Sequence, residues 1–295
     1  MQIITRNVII IVLLLANCVA KAQYINPDSG IVVSDHYGDE LNANWSPDGA
    51  MLLFNLIVDE ENQLCIYDFE RDTVVIISVN RVNFRNPVWH PDGDKIVFDS
   101  SHEGHDFLYV INVNSGAITN LLNRDIRCRE ASFSNSSRQV YFTGFDEIGN
   151  SWEIYSYDFI YDNLNKITDS KFGTTDPVIS HNGKHIIASK TDPFNGSVSL
   201  ELLNWYGEKE GGVRSFEGEN VAWDKAGLKF YFVKKESDSL RELYSIWKDG
   251  THIEKLTESN FDIATPAISP DGNRAAVSIR NDLGWDIIVV SLDDY

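Results

Sequence analysis

A chain of 295 residues with 44 acidic against 25 basic side chains carries a formal charge of −19. A surface that acidic repels nucleic acid and anionic lipid, which excludes both as natural partners. With 19 glycines and 43% hydrophobic residues, the chain is turn-rich yet long enough to bury one large core.

At the N-terminus, residues 1–22 read as a secretory signal. Arg6 precedes an apolar run from Val8 to Ala16, and Ala20-Lys21-Ala22 supplies small residues for cleavage after Ala22. Nine apolar residues are too few to span a bilayer, so no membrane span is expected. A second export reading takes Leu15-Ala16-Asn17-Cys18 as a lipoprotein box with Cys18 lipidated, although Asn17 stands where a small residue belongs. Without the signal, 44 acidic residues face 23 basic ones, and Cys65 and Cys128 remain. These two fall in non-neighbouring repeats, which points to buried thiols rather than a disulfide.

Residues 30–34, Gly-Ile-Val-Val-Ser, form a spare β-rich run ahead of the first repeat. Six segments then end in one kind of turn: Trp45-Ser46-Pro47-Asp48-Gly49, Trp89-His90-Pro91-Asp92-Gly93, Phe133-Ser134-Asn135-Ser136-Ser137, Ile179-Ser180-His181-Asn182-Gly183, Trp223-Asp224-Lys225-Ala226-Gly227 and Ile268-Ser269-Pro270-Asp271-Gly272. The final positions are 44, 44, 46, 44 and 45 residues apart, the period of a propeller blade. Pro presets φ at the second turn position, Asp suits the third, and Gly supplies the left-handed conformation that closes a hairpin. Ser137 stands where the others have Gly, so the third turn is expected to be looser or of a different type.

Between turns, the second repeat shows four strands: Pro87–Trp89, Lys95–Asp99, Phe107–Asn112 and Ala117–Leu122. The chain stops within four residues of Ser291, leaving the sixth repeat one strand short. The fold expected is therefore all-β: a single six-bladed propeller of four-stranded blades over residues 23–295. Its repeats run from about 41 to 295, and the ring is closed by the strand near 30–34 completing the last blade.

The turns are followed by Leu52-Leu53-Phe54, Ile96-Val97-Phe98 and Val140-Tyr141-Phe142, and Lys166-Ile167-Thr168 and Lys255-Leu256-Thr257 end their blades. Over residues 30–295 the chain thus resembles the WD40-like repeats of TolB-type propellers. That resemblance implies a non-enzymatic periplasmic protein that docks other envelope proteins. The α/β domain that precedes the propeller in TolB itself has no counterpart in this sequence. Similar repeats occur in metal-dependent oligogalacturonate lyases and beside the catalytic domain of prolyl-oligopeptidase relatives, and fold alone does not choose among these.

In a blade of this order the Pro-Asp-Gly turns lie on one side of the disc. The hairpins between second and third strands, and the links between blades, lie on the other. Loops from every blade converge on that second side, so the site is expected there and the turns are expected to be inert. Two adjacent blade-joining loops carry Arg81, Arg85, Arg124, Arg127 and Arg129, five of the eleven arginines that follow the signal. Guanidinium forks bind carboxylates in pairs, which suits a carboxylate-rich partner, whereas pairing with neighbours such as Asp125 and Glu130 would merely balance charge. The loop Ser101–Asp106 offers His102, His105 and Asp106 as candidate metal ligands, with His36 the nearest further one. Tyr37, Phe84, Phe145, Phe172, Phe194 and Phe261 lie towards the same side, to plug the channel, pack loops or form a platform for a peptide or sugar.

The function expected first is an exported, non-enzymatic propeller in the periplasm or cell envelope, binding a protein or peptide as a monomer without a cofactor. The alternative is a carbohydrate-active lyase or hydrolase on an acidic sugar, using the arginines for substrate carboxylates and the histidine loop for a metal.

Overall fold

The computed structural model describes residues 30–33, 38–77, 83–101, 103–210 and 215–292, and in them every regular element is a strand. The chain opens with β1 (Ile31–Val32). Blade one is β2 (Asp39–Trp45), β3 (Met51–Val58), β4 (Glu61–Asp68) and β5 (Thr73–Ile76), and blade two is β6 (Arg85–Trp89), β7 (Lys95–Ser100), β8 (Phe107–Asn112) and β9 (Ile118–Asn120). Blade three is β10 (Cys128–Phe133), β11 (Gln139–Asp146), β12 (Ser151–Asp158) and β13 (Asn163–Lys166), and blade four is β14 (Thr175–Ile179), β15 (His185–Thr191), β16 (Val198–Asn204) and β17 (Phe216–Glu217). Blade five is β18 (Glu219–Trp223), β19 (Lys229–Ser237), β20 (Leu240–Trp247) and β21 (Glu254–Lys255). Blade six supplies β22 (Asp262–Ile268), β23 (Arg274–Asn281) and β24 (Gly284–Ser291), and β1 takes its fourth place.

The ring therefore closes as the sequence requires. Ile31 pairs with Val289 and Val32 with Ile288, and the Val33 amide donates to the Ile287 carbonyl at 3.0 Å. Two paired residues are a short clasp, and side chains of blade one reinforce it. Asp39 accepts from the Trp285 amide at 3.0 Å, Glu40 from the Ile287 amide at 3.1 Å, and Trp45 donates its indole N–H to the Ala267 carbonyl at 3.1 Å.

Each second strand reads as a continuous apolar run because neighbouring blades cover both of its faces. Leu52 and Phe54 pack towards blade six while Leu53 packs towards blade two. The core is accordingly six apolar layers between blades rather than one central mass. Cys65 and Cys128 lie in two of those layers as free thiols, pushed up to about 12 by burial and thus unreactive.

In five turns the closing glycine has φ between +67° and +84° and its amide donates to the carbonyl three residues earlier. The Ser46 hydroxyl donates to Asp48 at 2.6 Å and accepts from the Met51 amide at 2.9 Å. Ser180 with Asn182, and Ser269 with Asp271, repeat this pattern. In blade five Asp224 does the work alone, accepting from the Leu228 and Lys229 amides at 2.8 and 3.0 Å. Blade three, with Ser137, has no such closing bond, and its turn falls instead at Ser137-Arg138.

The blade-ending threonines also acquire a reason. Thr168 and the Ser170 amide satisfy buried Glu153 at 2.6 and 2.9 Å, and Thr257 and the Ser259 amide do the same for buried Glu242. A carboxylate out of water requires such donors.

Each inner strand also carries one bulge, not legible from the repeat, centred on a residue of positive φ: Asn42, Asn86, Glu130, Asp176, Asn220 and Thr265. Five are Asn, Asp or Glu, and four of those five are the types that tolerate this backbone best. Thr265, β-branched at φ +43°, is strained.

Candidate functional site

Past those bulges, the turn-side halves of the six inner strands enclose an axial cavity of about 590 Å³. Its wall begins at residue 43, 88, 131, 177, 221 or 266 in successive blades and ends in the turns. The turns, expected from the sequence to be inert, thus line a concavity that all six blades contribute to. The volume lies in the range of sites that hold small ligands or a short chain segment.

Five prolines form much of the wall: Pro47, Pro91, Pro177, Pro266 and Pro270. Fixed φ angles stiffen the rim and hold its shape before anything binds. Trp45, Trp89 and Trp223 stand between them, each almost fully buried, as expected of core residues, with one edge on the cavity. Trp45 and Trp223 give their indole N–H to carbonyls of the preceding blade, at 3.1 and 2.9 Å, whereas Trp89 finds no acceptor.

The wall contains no acidic side chain, in a protein with 44 of them. Lys225 is on it, and so is His181, whose Nδ1 donates to the Asp224 carbonyl at 3.1 Å, which fixes the proton on that nitrogen. Both residues occupy turns that have lost the Pro-Asp pair.

The four described arginines of the two blade-joining loops each meet a carboxylate within the fold. Arg85 is ion-paired to buried Asp99 at 3.1 Å, without hydrogen-bond alignment, and donates to Asp106. Burial pushes Asp99 up despite that neighbour. Arg124 reaches Asp162 at 2.6 Å, beside Tyr157. Arg127 lies 3.6 Å over the Phe145 ring and pairs with Glu147 at 3.1 Å, and Arg129 lies 4.5 Å over Trp152 beside Glu130. The structure thus gathers Arg127 and Arg129 on one aromatic pair, Phe145 with Trp152, and sends Arg124 towards Tyr157, five residues or roughly 17 Å further along β12. Arg81 lies outside the described residues.

Glu130 is the one strongly perturbed carboxyl in this region, pushed up to about 8 by burial and by the nearby Asp176 carboxylate. It accepts from Thr143 at 2.7 Å and from the Asp176 amide at 3.1 Å, tying blade three to blade four.

The candidate metal set is described only in part. Asp106 belongs to Arg85, and no group of three or more His, Cys, Asp or Glu converges anywhere in them. His102 and His36 lie outside the described residues. Of the loop aromatics, Phe84 is fully buried against Phe98, and Phe261 packs on the layer between blades five and six. Phe172 and Phe194 instead stand exposed, edge to face at 6.1 Å, and Tyr37 is outside the described residues.

The sequence profile of the TolB beta propeller domain matches residues 18–226, more than half of the chain. The chain belongs to the TolB β-propeller family. A protein TolB homolog from Chlorobium luteolum is 30% identical over 131 residues, which are 43% of this chain but only 29% of that relative's length. The putative TolB of Agrobacterium tumefaciens is 18% identical, with a TM-score of 0.68 over 89% of this chain and 93% of that one. An oligogalacturonate lyase from Vibrio parahaemolyticus, 8% identical, superposes with a TM-score of 0.60 over 90% of this chain and 94% of that one. For these two solved structures, identities this low establish a shared propeller fold alone. Among the described residues no helix is long and apolar enough to cross a membrane.

Proposed function

We propose that this TolB-family propeller is an exported, non-enzymatic docking module of the periplasm or cell envelope. It receives a protein or peptide segment at the turn-side mouth of its channel. The observation that carries this reading is the 590 Å³ cavity, walled by prolines, tryptophan edges and small polar side chains. Such a wall offers shape, apolar area and scattered hydrogen-bond partners, which suits recognition of a chain segment. The wall carries no carboxylate, and no group of three or more metal-ligating side chains converges among the described residues. The signal-like residues 1–22 favour a place in the envelope.

A photo-crosslinking side chain placed at Asn135, on the exposed rim of the cavity, or at Ile148, on the opposite side, tests the reading in cells expressing the full chain. An adduct with an envelope protein is expected from position 135 and not from 148. Adducts from 148 alone would overturn the placement.

A further inference from the structure

We propose that the segment docked at this mouth is acidic and extended, and that it leaves the axial cavity over the turn of blade five towards the groove between blades five and six. The inference rests on the docking reading and adds the partner's chemistry and path to it.

Two concavities flank the same turn. The axial one ends on Lys225, and a second, of about 530 Å³, is lined by Asp224, Lys225, Lys229, Tyr231 and Leu292 among others. Lys225 belongs to both. A compact ligand would fill one of them, whereas a chain advancing about 3.3 Å per residue can occupy both in succession.

Charge decides what kind of chain. Of the twelve described lysines, six have a carboxylate within 4 Å. The other six include Lys184, Lys225 and Lys229, in or beside the turns of blades four and five, and Lys248, in the β20–β21 hairpin on the same side, where it meets His185 Nε2 at 3.1 Å. The carboxylates nearby keep their charge but are turned to donors other than these lysines: Asp224 to two backbone amides, Glu210 to His185 at 2.6 Å, and Asp249 to Thr251 at 2.6 Å. Lys229 rests 4.9 Å over the Tyr231 ring, which holds its stem along the second concavity. Elsewhere a chain of charge −19 repels an acidic partner, so the potential steers such a partner to this sector. Lysine ammonium groups act as point charges without the fixed fork of arginine, and so accept carboxylates at variable positions along an extended segment.

The test uses the protein without residues 1–22, immobilised and exposed to a pool of random decapeptides, with mass spectrometry of the retained fraction. Retained peptides should be enriched about twofold or more in Asp and Glu, and retention should fall steeply between about 0.05 and 0.5 M salt. The enrichment should disappear in Lys225→Gln/Lys229→Gln and persist in Lys171→Gln, an unpaired lysine on the other side of the disc. Retention without acidic enrichment, or enrichment indifferent to the double substitution, overturns the inference while leaving the docking reading standing. No retention above an empty support, by a protein with an unchanged melting curve, overturns the docking reading itself.

Discussion

The turns of blades six, one and two and those of blades four and five share a backbone and differ in what their side chains are free to do. In the first group Asp48 and Asp271 are each held by a serine of their own turn, and Asp92 accepts from Ser137 of the next blade. All three carboxyls sit below the usual range, each chiefly through that hydroxyl. In the second group the same positions are Asn182 and Ala226, flanked by His181 and Lys225, and the lysines have no carboxylate to answer them. The glycine conformation survives in both groups, with φ +73° at Gly49 and +67° at Gly227. Where the repeat keeps its chemistry it serves folding, and where it keeps only its geometry it leaves side chains for a partner.

The largest effect should come from removing the frame that both groups share. Deleting residues 30–33 leaves β24 as an open edge and uncovers Ile287 and Val289, so the cooperative melting transition should be lost. A truncated protein that melts like the intact one would show that the ring does not depend on its clasp.

Next in size, Gly227→Ala and Gly49→Ala should each destabilise by about 1–2 kcal/mol through the left-handed backbone. Gly227 should be the worse, because an added Cβ would lie 2.9 Å from Asn182, against 3.5 Å for the nearest atom at Gly49. Denaturant midpoints compare the two directly, and equal or reversed costs would mean the turns differ in backbone after all.

The tryptophans separate the blades more finely. Trp45→Phe strands the Ala267 carbonyl and should cost roughly 1 kcal/mol more than Trp89→Phe, whose indole has no acceptor to lose. Similar costs in urea unfolding would imply that Trp89 has a partner.

Smallest is the response to acid. Asp48, Asp92 and Asp271 have folded values below their unfolded ones, so their contribution is fully present above about pH 4 and is lost as pH falls through the folded values. Ser46→Ala/Ser269→Ala should flatten the acid limb of the stability curve, whereas Lys225→Gln/Lys229→Gln should leave its shape unchanged. An unaltered acid limb in the serine variant would show that these hydroxyls do not hold the carboxyls down.

Blade number, turn chemistry and the borrowed strand near residue 32 were legible in the sequence because each follows from local residue preferences repeated at a fixed period. The bulges were hidden because a one-residue insertion in an inner strand leaves the period unchanged. The pairing of the arginines was hidden for a different reason. Arg129 pairs with the adjacent Glu130, but three other partners lie outside any short window: Asp99 is 14 residues from Arg85, Glu147 is 20 from Arg127 and Asp162 is 38 from Arg124. Only folding shows that those charges are paired. The cavity wall takes a few residues from each of six repeats, so no contiguous stretch announces it. One signal was nonetheless present, in the departure of His181-Asn182 and Lys225-Ala226 from Pro-Asp.

The central claim is that partners dock among the turns and not on the arginine side. It is tested by the fraction of envelope protein retained on the immobilised protein when each side is altered separately. Asn135→Trp should narrow the turn-side mouth and abolish retention, while Arg85→Ala/Arg127→Ala, if it remains folded, should retain the partner at wild-type level. Loss of retention in a folded arginine variant, with full retention by Asn135→Trp, would contradict the account.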